Sequence, residues 1–338
     1  MTPSGRRSSS GSPLTLLWHR EGVRFHWLNF HLPYACRDSG MCCTAGWPIP
    51  VEQARRPLIQ DAVQRHVIPL RAQPWLTPSA DAPEEFAGTL TLRDNGHCVF
   101  FEAGRSGCSI HDVKPAACVH FPYVCLIDQR GVHVTLSHYC PTAASLLFEY
   151  AGAMALVQGP SPVPDGHALE GLDARESLPP AAEGALPRLL SFEEFSAWER
   201  DAVAGACIDG LQPNDRSLFD RARAAVPPPW TWPAARADFE EAWAALVEPA
   251  WPRFEDPLRR YAAAKVFASW AAYQGDGLPA IRRVAAIAGA VLRVECARRC
   301  AQDQQPLDRY LLTQAIGQTD LLLVHYADPQ RLAGSERA

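Results

Sequence analysis

Lysine is almost missing from this chain. Of 32 basic residues, only Lys114 and Lys265 are lysines. The formal charge is −5. A nucleic-acid-binding domain usually carries a basic face or a high pI, so the balance argues against that class. Long apolar runs are missing too. The longest, Val284 to Leu292, is closed in by Arg282, Arg283 and Arg293. It falls far short of the ~20 residues a membrane span needs. Leu14 to Trp18 is too short for the apolar stretch of about 7–15 residues in a secretory signal. It runs straight into His19-Arg20-Glu21, and without that stretch Arg6-Arg7 makes no twin-arginine signal. The expectation is a cytoplasmic protein that meets neither membrane nor nucleic acid. There is no internal repeat. No glycine-rich loop joins a clear strand to a helix in the way that cradles an adenosyl cofactor. Gly275-Asp276-Gly277 falls between two helical patterns and reads as a helix stop.

Cysteine, by contrast, is crowded. Eight of the eleven cysteines fall between Cys36 and Cys140. They are Cys36, Cys42, Cys43, Cys98, Cys108, Cys118, Cys125 and Cys140. Such a density needs disulfides, a metal or redox work to explain it. In a reducing cytosol, clustered thiols favour metal ligation over disulfides. A tetrahedral zinc takes four ligands, and an iron–sulfur cluster is also held by four thiolates. Eight cysteines exceed either, so two centres, or one centre and spare thiols, are required. Spacing alone does not separate zinc from iron. Gly40 permits a sharp turn between Cys36 and the Cys42-Cys43 pair.

The 338 residues suffice for about two domains at roughly 150 residues each. The pattern reads as α+β. Residues 1–19 form a polar tail, 20–150 a small metal-centred domain, 151–187 a Pro- and Gly-rich linker, and 188–330 a helical domain. Phe25 to Tyr34 has extended character, and a helix is expected near Pro57 to Leu70. Hairpins are expected at Thr89–Phe101, around Asp94-Asn95-Gly96, and at Tyr123–Ser137, around Asp128 to Gly131. Pro115 suits the first turn of a short helix. In the second half, helical patterns span Leu189–Cys207, Asn214 or Asp215 to Ala225, Ala234–Leu246, Pro257–Gln274, Pro279–Ala301 and Pro306–His325. Pro227-Pro228-Pro229 ends the second of these.

Two motifs carry a resemblance. Cys36-x2-Ser39-Gly40-x-Cys42-Cys43 resembles the Cys-x2-Cys-Gly-x-Cys-Cys opening of the YkgJ-type cysteine-cluster family, a zinc- or iron-chelating domain. Cys108-Ser-Ile-His-Asp-Val-Lys-Pro115-Ala-Ala-Cys118-Val-His-Phe121-Pro122 is similar to that family's second segment. Ser39 stands where the family has a cysteine, His111 where it has tyrosine and Lys114 where it has arginine. Cys36, Cys43, Cys108 and Cys118 anchor the two motifs as ligands, and Cys42, Cys98, Cys125 and Cys140 complete the candidate set. A narrower likeness is to flagellin lysine-N-methylases. Cys42-Cys43-x-x-Gly46-Trp47-x-Ile49 and Leu136 to Leu146 each resemble their motifs with one extra residue. That likeness implies S-adenosylmethionine as cofactor and a protein substrate with exposed lysines. The alternative is a non-enzymatic structural-zinc module whose helical half docks a protein partner.

His97, His111, His120, His133 and His138 also lie in the cysteine region, with His111 and His120 the best-placed to ligate. Cys296 and Cys300 share a helix face and, like Cys207, read as buried apolar groups. Trp230, Trp232, Trp243, Trp251 and Trp270 read as core packing. Asp238, Glu240 and Glu241 suit a helix N-terminus.

Overall fold

The structure, a computed structural model, describes residues 22–65, 74–79, 83–102, 107–164, 167, 169–182, 184, 188–208, 218–226 and 236–334. The tail at 1–19, Asn214, Asp215, Pro227–Pro229, Trp230, Trp232 and the end of the expected 57–70 helix lie outside them.

The fold is α+β. Strand β1 (Phe25–Leu28) lies inside a sheet completed by β5 (Tyr123–Asp128), β6 (Gly131–Leu136), β7 (Leu156–Gly159) and β8 (Leu172–Asp173), in the order β7-β1-β6-β5-β8. The β5–β6 hairpin forms around Asp128 to Gly131 as its turn residues require, pairing Cys125 with Val134. A second sheet has the order β2-β4-β3, from β2 (Pro50–Glu52), β3 (Leu76–Thr77) and β4 (Phe86–Leu90).

The Thr89–Phe101 hairpin is only partly there. The turn at Asp94 to Gly96 closes through Arg93 N–H to the His97 carbonyl at 2.7 Å, with one bridge, Leu92 to Cys98. The strand before the turn pairs instead with β2 and β3. The chain after it bends away through Val99 and Phe100, which bury in the small apolar core of this lobe. The segment expected to be a linker, 151–187, contributes β7 and β8 to the larger sheet. Leu156, Leu169 and Leu172 of this segment pack against core clusters, whereas Leu178 is exposed.

Short helices flank the sheets: α1 (Met41–Thr44), α2 (Arg56–Gln64), α3 (Ala116–His120) and α4 (Pro141–Glu149). The helical half holds α5 (Phe192–Ala204), α6 (Leu218–Ala225), α7 (Arg236–Ala242), α8 (Glu255–Val266), α9 (Ala271–Gln274), α10 (Leu278–Asp303), α11 (Arg309–Asp320) and α12 (Pro329–Ala333). Ser191 and Glu194 make a capping box at the start of α5. The pattern over Pro257–Gln274 resolves as α8 and α9, broken between them where Ala268 takes φ 54°. Helices α7 and α11 each continue as a π turn, at Trp243–Val247 and Leu321–Tyr326.

One large core joins the halves. Leu28 and Phe30 from β1 and its turn, Leu126 from β5, and Ala144 and Leu147 from α4 bury with Tyr261, Phe267, Leu292, Cys296 and Cys300 of the helices. Trp243 and Trp251 pack within it, and Trp270 donates its ring N–H to the Cys125 carbonyl at 3.0 Å. Polar networks bind the same seam. Asp128 accepts from His133 at 3.1 Å, from Arg130 and from Tyr273 at 2.8 Å, while Arg130 also reaches Glu199 at 2.8 Å. Asp320, at the end of α11, accepts from Lys265 at 2.6 Å and Tyr261 at 2.9 Å. It also accepts from the backbone N–H and ring Nδ1 of His138, at 2.7 and 3.1 Å. Among the described residues, no helix is long and apolar enough to cross a membrane.

Candidate metal centre

The thiols of the first lobe sit on tight turns. Gly40 opens α1 with φ 72°, and a Cβ there would lie 2.1 Å from the Phe101 ring. Glycine is therefore required twice at that point, for conformation and for space. The turn aims Cys42 and Cys43 inward. Cys98 is tied to it by its backbone N–H, which donates to the Cys43 carbonyl at 2.7 Å. Cys108 follows at a bridge to Phe101. Cys118 lies on α3, whose first N–H, that of Ala116, donates to the Glu52 carboxylate at 3.0 Å.

These four segments bring five thiols to one patch. Cys43 makes side-chain hydrogen bonds with both Cys108 and Cys42. Those bonds hold the proton on Cys43, raising it, and draw Cys42 down to about 7 and Cys108 below its ordinary value. Burial pushes Cys98 up to about 11 and raises Cys118 well above its ordinary range, with the neighbouring thiols adding to both. The Lys114 ammonium acts on Cys42, Cys108 and Cys118 and favours their thiolates. A metal cation would find Cys42 and Cys108 shifted toward thiolate and would have to displace the protons that Cys43, Cys98 and Cys118 hold, since a coordinating thiol is deprotonated outright. The donor set thus fits a thiophilic metal. All eleven cysteines are free thiols.

Residues 35–141 match the family model CxxCxxCC, described as "Putative zinc- or iron-chelating domain". The matched segment is similar to that domain, which agrees with the cysteine-cluster likeness and supports metal binding there. No curated protein and no solved structure shows significant similarity to the chain.

The remaining cysteines of the cysteine-cluster domain stand apart from the five. Cys36 is exposed; its electrostatic neighbours are Asp38, Lys114 and Cys140. Cys140 caps α4 and lies 3.6 Å from the Tyr34 hydroxyl. Cys125 is on β5, buried in the sheet's own core, where burial pushes it up to about 12. Its orientation follows the strand alternation that turns Cys125 away from the lobe holding Cys43. Ser39, in the position of the family's second cysteine, is exposed.

The histidines divide in the same way. His111 meets Cys36 and Asp38, the three ligand atoms lying within 4.8 Å of one another. His120 is buried near His167. His97 hydrogen-bonds Asn95, His133 binds Asp128, and His138 binds Asp320. Cys296 and Cys300 are fully buried on α10, as their helical spacing implied.

Three groups escaped sequence reasoning. Lys114 registered only as a departure from a family arginine, yet it is the cation among the thiols. Asp38 had no motif to mark it. Asp320 lies far along the chain from His138, and nothing local ties them. The scarcity of lysine was the available signal: Lys114 stands among the thiols and Lys265 on the buried Asp320 carboxylate.

Proposed function

We propose that the cysteine-cluster domain holds an iron–sulfur centre on thiolates drawn from Cys42, Cys43, Cys98, Cys108 and Cys118. The observation that carries this reading is the convergence of five thiols, from four separate segments, beside a single lysine. Five thiols supply the four ligands that a tetrahedral zinc or one cluster takes and leave one spare. The patch is also broad. Among the described residues, the one trio of ligand atoms drawn together within 4.8 Å is at Cys36, not around Cys43. A cluster places iron and sulfide between its thiolates and so suits a wider ring of sulfurs. Lys114 offsets part of the negative charge of four thiolates.

Anaerobic purification with an absorption spectrum and analysis of iron, zinc and acid-labile sulfide tests this. The expected result is a brown protein with iron and sulfide in equal amounts. A colourless protein with stoichiometric zinc removes the iron–sulfur reading and leaves a structural zinc domain.

A second reading, methyl transfer from S-adenosylmethionine to protein lysines, draws on one contact. The two segments similar to flagellin lysine-N-methylases meet where the Trp47 ring lies 5.4 Å from that of Tyr139, tilted by 53°, with the His325 ring of the helical half 4.7 Å from Trp47. Titration calorimetry with S-adenosylmethionine, followed by mass spectrometry of lysine-bearing proteins, addresses it. Neither binding nor mass gain would dismiss it.

A further inference from the structure

We infer that Cys36, Asp38 and His111 form a second metal site, for a zinc-class divalent cation, distinct from the thiol centre around Cys43. Thiolate, carboxylate and imidazole are the three donor types zinc accepts from proteins. The spacing fits as well as the chemistry. Zinc–donor bonds of about 2.0–2.3 Å put neighbouring donors of a tetrahedron about 3.3–3.8 Å apart. Here Cys36 Sγ is 3.8 Å from Asp38 Oδ1, and His111 Nε2 is 3.5 Å from the same oxygen.

The imidazole is in the tautomer a metal needs. Lys114 Nζ lies 3.3 Å from His111 Nε2. An ammonium can only donate, so Nε2 accepts from Lys114 and is the unprotonated ring nitrogen. The other ring nitrogen, Nδ1, faces the Asp112 carboxylate at 3.7 Å. Ligating histidines commonly turn their second N–H toward such a carboxylate. A cation would take the place that the Lys114 ammonium holds against Nε2.

The backbone is shaped for the carboxylate. Asp38 has φ 53°, one of three non-glycine residues in the left-handed region among the described residues. Asp tolerates that conformation better than most residues do. Gly107 backs it, and a Cβ there would lie 2.6 Å from Asp38 Cβ. Three ligands leave a fourth position open. Cys36 is exposed and the His111 side chain is 41% exposed, so that position faces solvent. This is the open arrangement of zinc sites that bind water or a small anion, not the closed arrangement of purely structural ones. On binding, the Cys36 S–H bond breaks, its proton leaves to solvent and a metal–sulfur bond replaces it.

The test uses the full chain, untagged, and cobalt(II) as a coloured stand-in for zinc. Wild-type protein, His111→Gln and Asp38→Asn are titrated, with circular dichroism to check folding. The wild type should bind one more equivalent of cobalt than either variant, or bind it at least ~10-fold more tightly. That equivalent should show a thiolate-to-cobalt charge-transfer band that Cys36→Ser abolishes. The metal and visible spectrum of the Cys43 centre should be unchanged in His111→Gln and Asp38→Asn. Cobalt binding equal to wild type in both variants would overturn the inference. So would loss of the Cys43 centre's own metal in His111→Gln, because the two would then be one centre. If the protein holds no iron or sulfide but His111-dependent cobalt binding persists, the iron–sulfur reading fails and this site stands.

Discussion

Asp320→Ala is expected to destabilise the chain by about 3–5 kcal/mol, the usual cost of breaking a buried ion pair from one side. The carboxylate is 1% exposed and accepts from four donors: Lys265 Nζ, the Tyr261 hydroxyl, and the backbone N–H and ring Nδ1 of His138. Burial pushes its carboxyl up, but Lys265 and His138 outweigh that and hold it well below the usual range. Alanine leaves all four donors without their acceptor. The Lys265 side chain, 12% exposed, then bears an unpaired charge. At about 2 °C per kcal/mol for a chain of this size, the melting temperature should fall roughly 6–10 °C. Adding Lys265→Met removes the stranded cation and should restore about 1–3 kcal/mol as a coupling term. Full recovery is not expected, because Tyr261 and His138 remain unsatisfied. Urea unfolding of the wild type, both single variants and the double variant measures the cycle. A single-variant cost under about 1 kcal/mol, or a double variant no more stable than Asp320→Ala, would refute the view that this pair is a buried, coupled tie between the halves.

Other outcomes follow from the same structure. Cys43→Ser removes the thiol that touches both Cys42 and Cys108, so metal content should fall to a small fraction of wild type, whereas Cys125→Ala should keep it; elemental analysis of the purified variants decides. Gly107→Ala forces a Cβ to within 2.6 Å of Asp38 Cβ, and should lower cobalt affinity while leaving the Cys43 centre loaded. His31 is fully buried as a neutral ring against His138, Lys265 and Asp320, and burial holds it well below its ordinary value. The unfolded chain takes up that proton as pH drops through about 6.5, so the His31 contribution should be level above that value and fall below it by at most about 1.4 kcal/mol per pH unit, with His138 and His26, also lowered by burial, adding in the same direction. Urea midpoints at about pH 7.5 and about 5.5 check the slope, and His31→Phe should reduce it.

Local chemistry was legible in the chain itself. The cysteine motifs marked the metal-chelating segment because ligand spacing along a turn is a property of neighbouring residues. The β5–β6 hairpin followed from Asp128-Gln129-Arg130-Gly131, and α10 from the helical pattern over Pro279–Ala301. What the tertiary structure decided was which distant groups meet. Spacing could not tell that Cys125 turns into the sheet core while Cys98 reaches Cys43, because strand register, not sequence distance, sets the face. Nor could it show that residues 156–159 and 172–173 close a sheet, since short strands take their stability from partners elsewhere. The sequence alone determined that this chain crowds eight cysteines between Cys36 and Cys140 and has almost no lysine. The fold decided where its two lysines stand: Lys114 among thiols, and Lys265 on the carboxylate that binds the helical half to the loop before Cys140. Charges removed from water need a partner, and only packing supplies one.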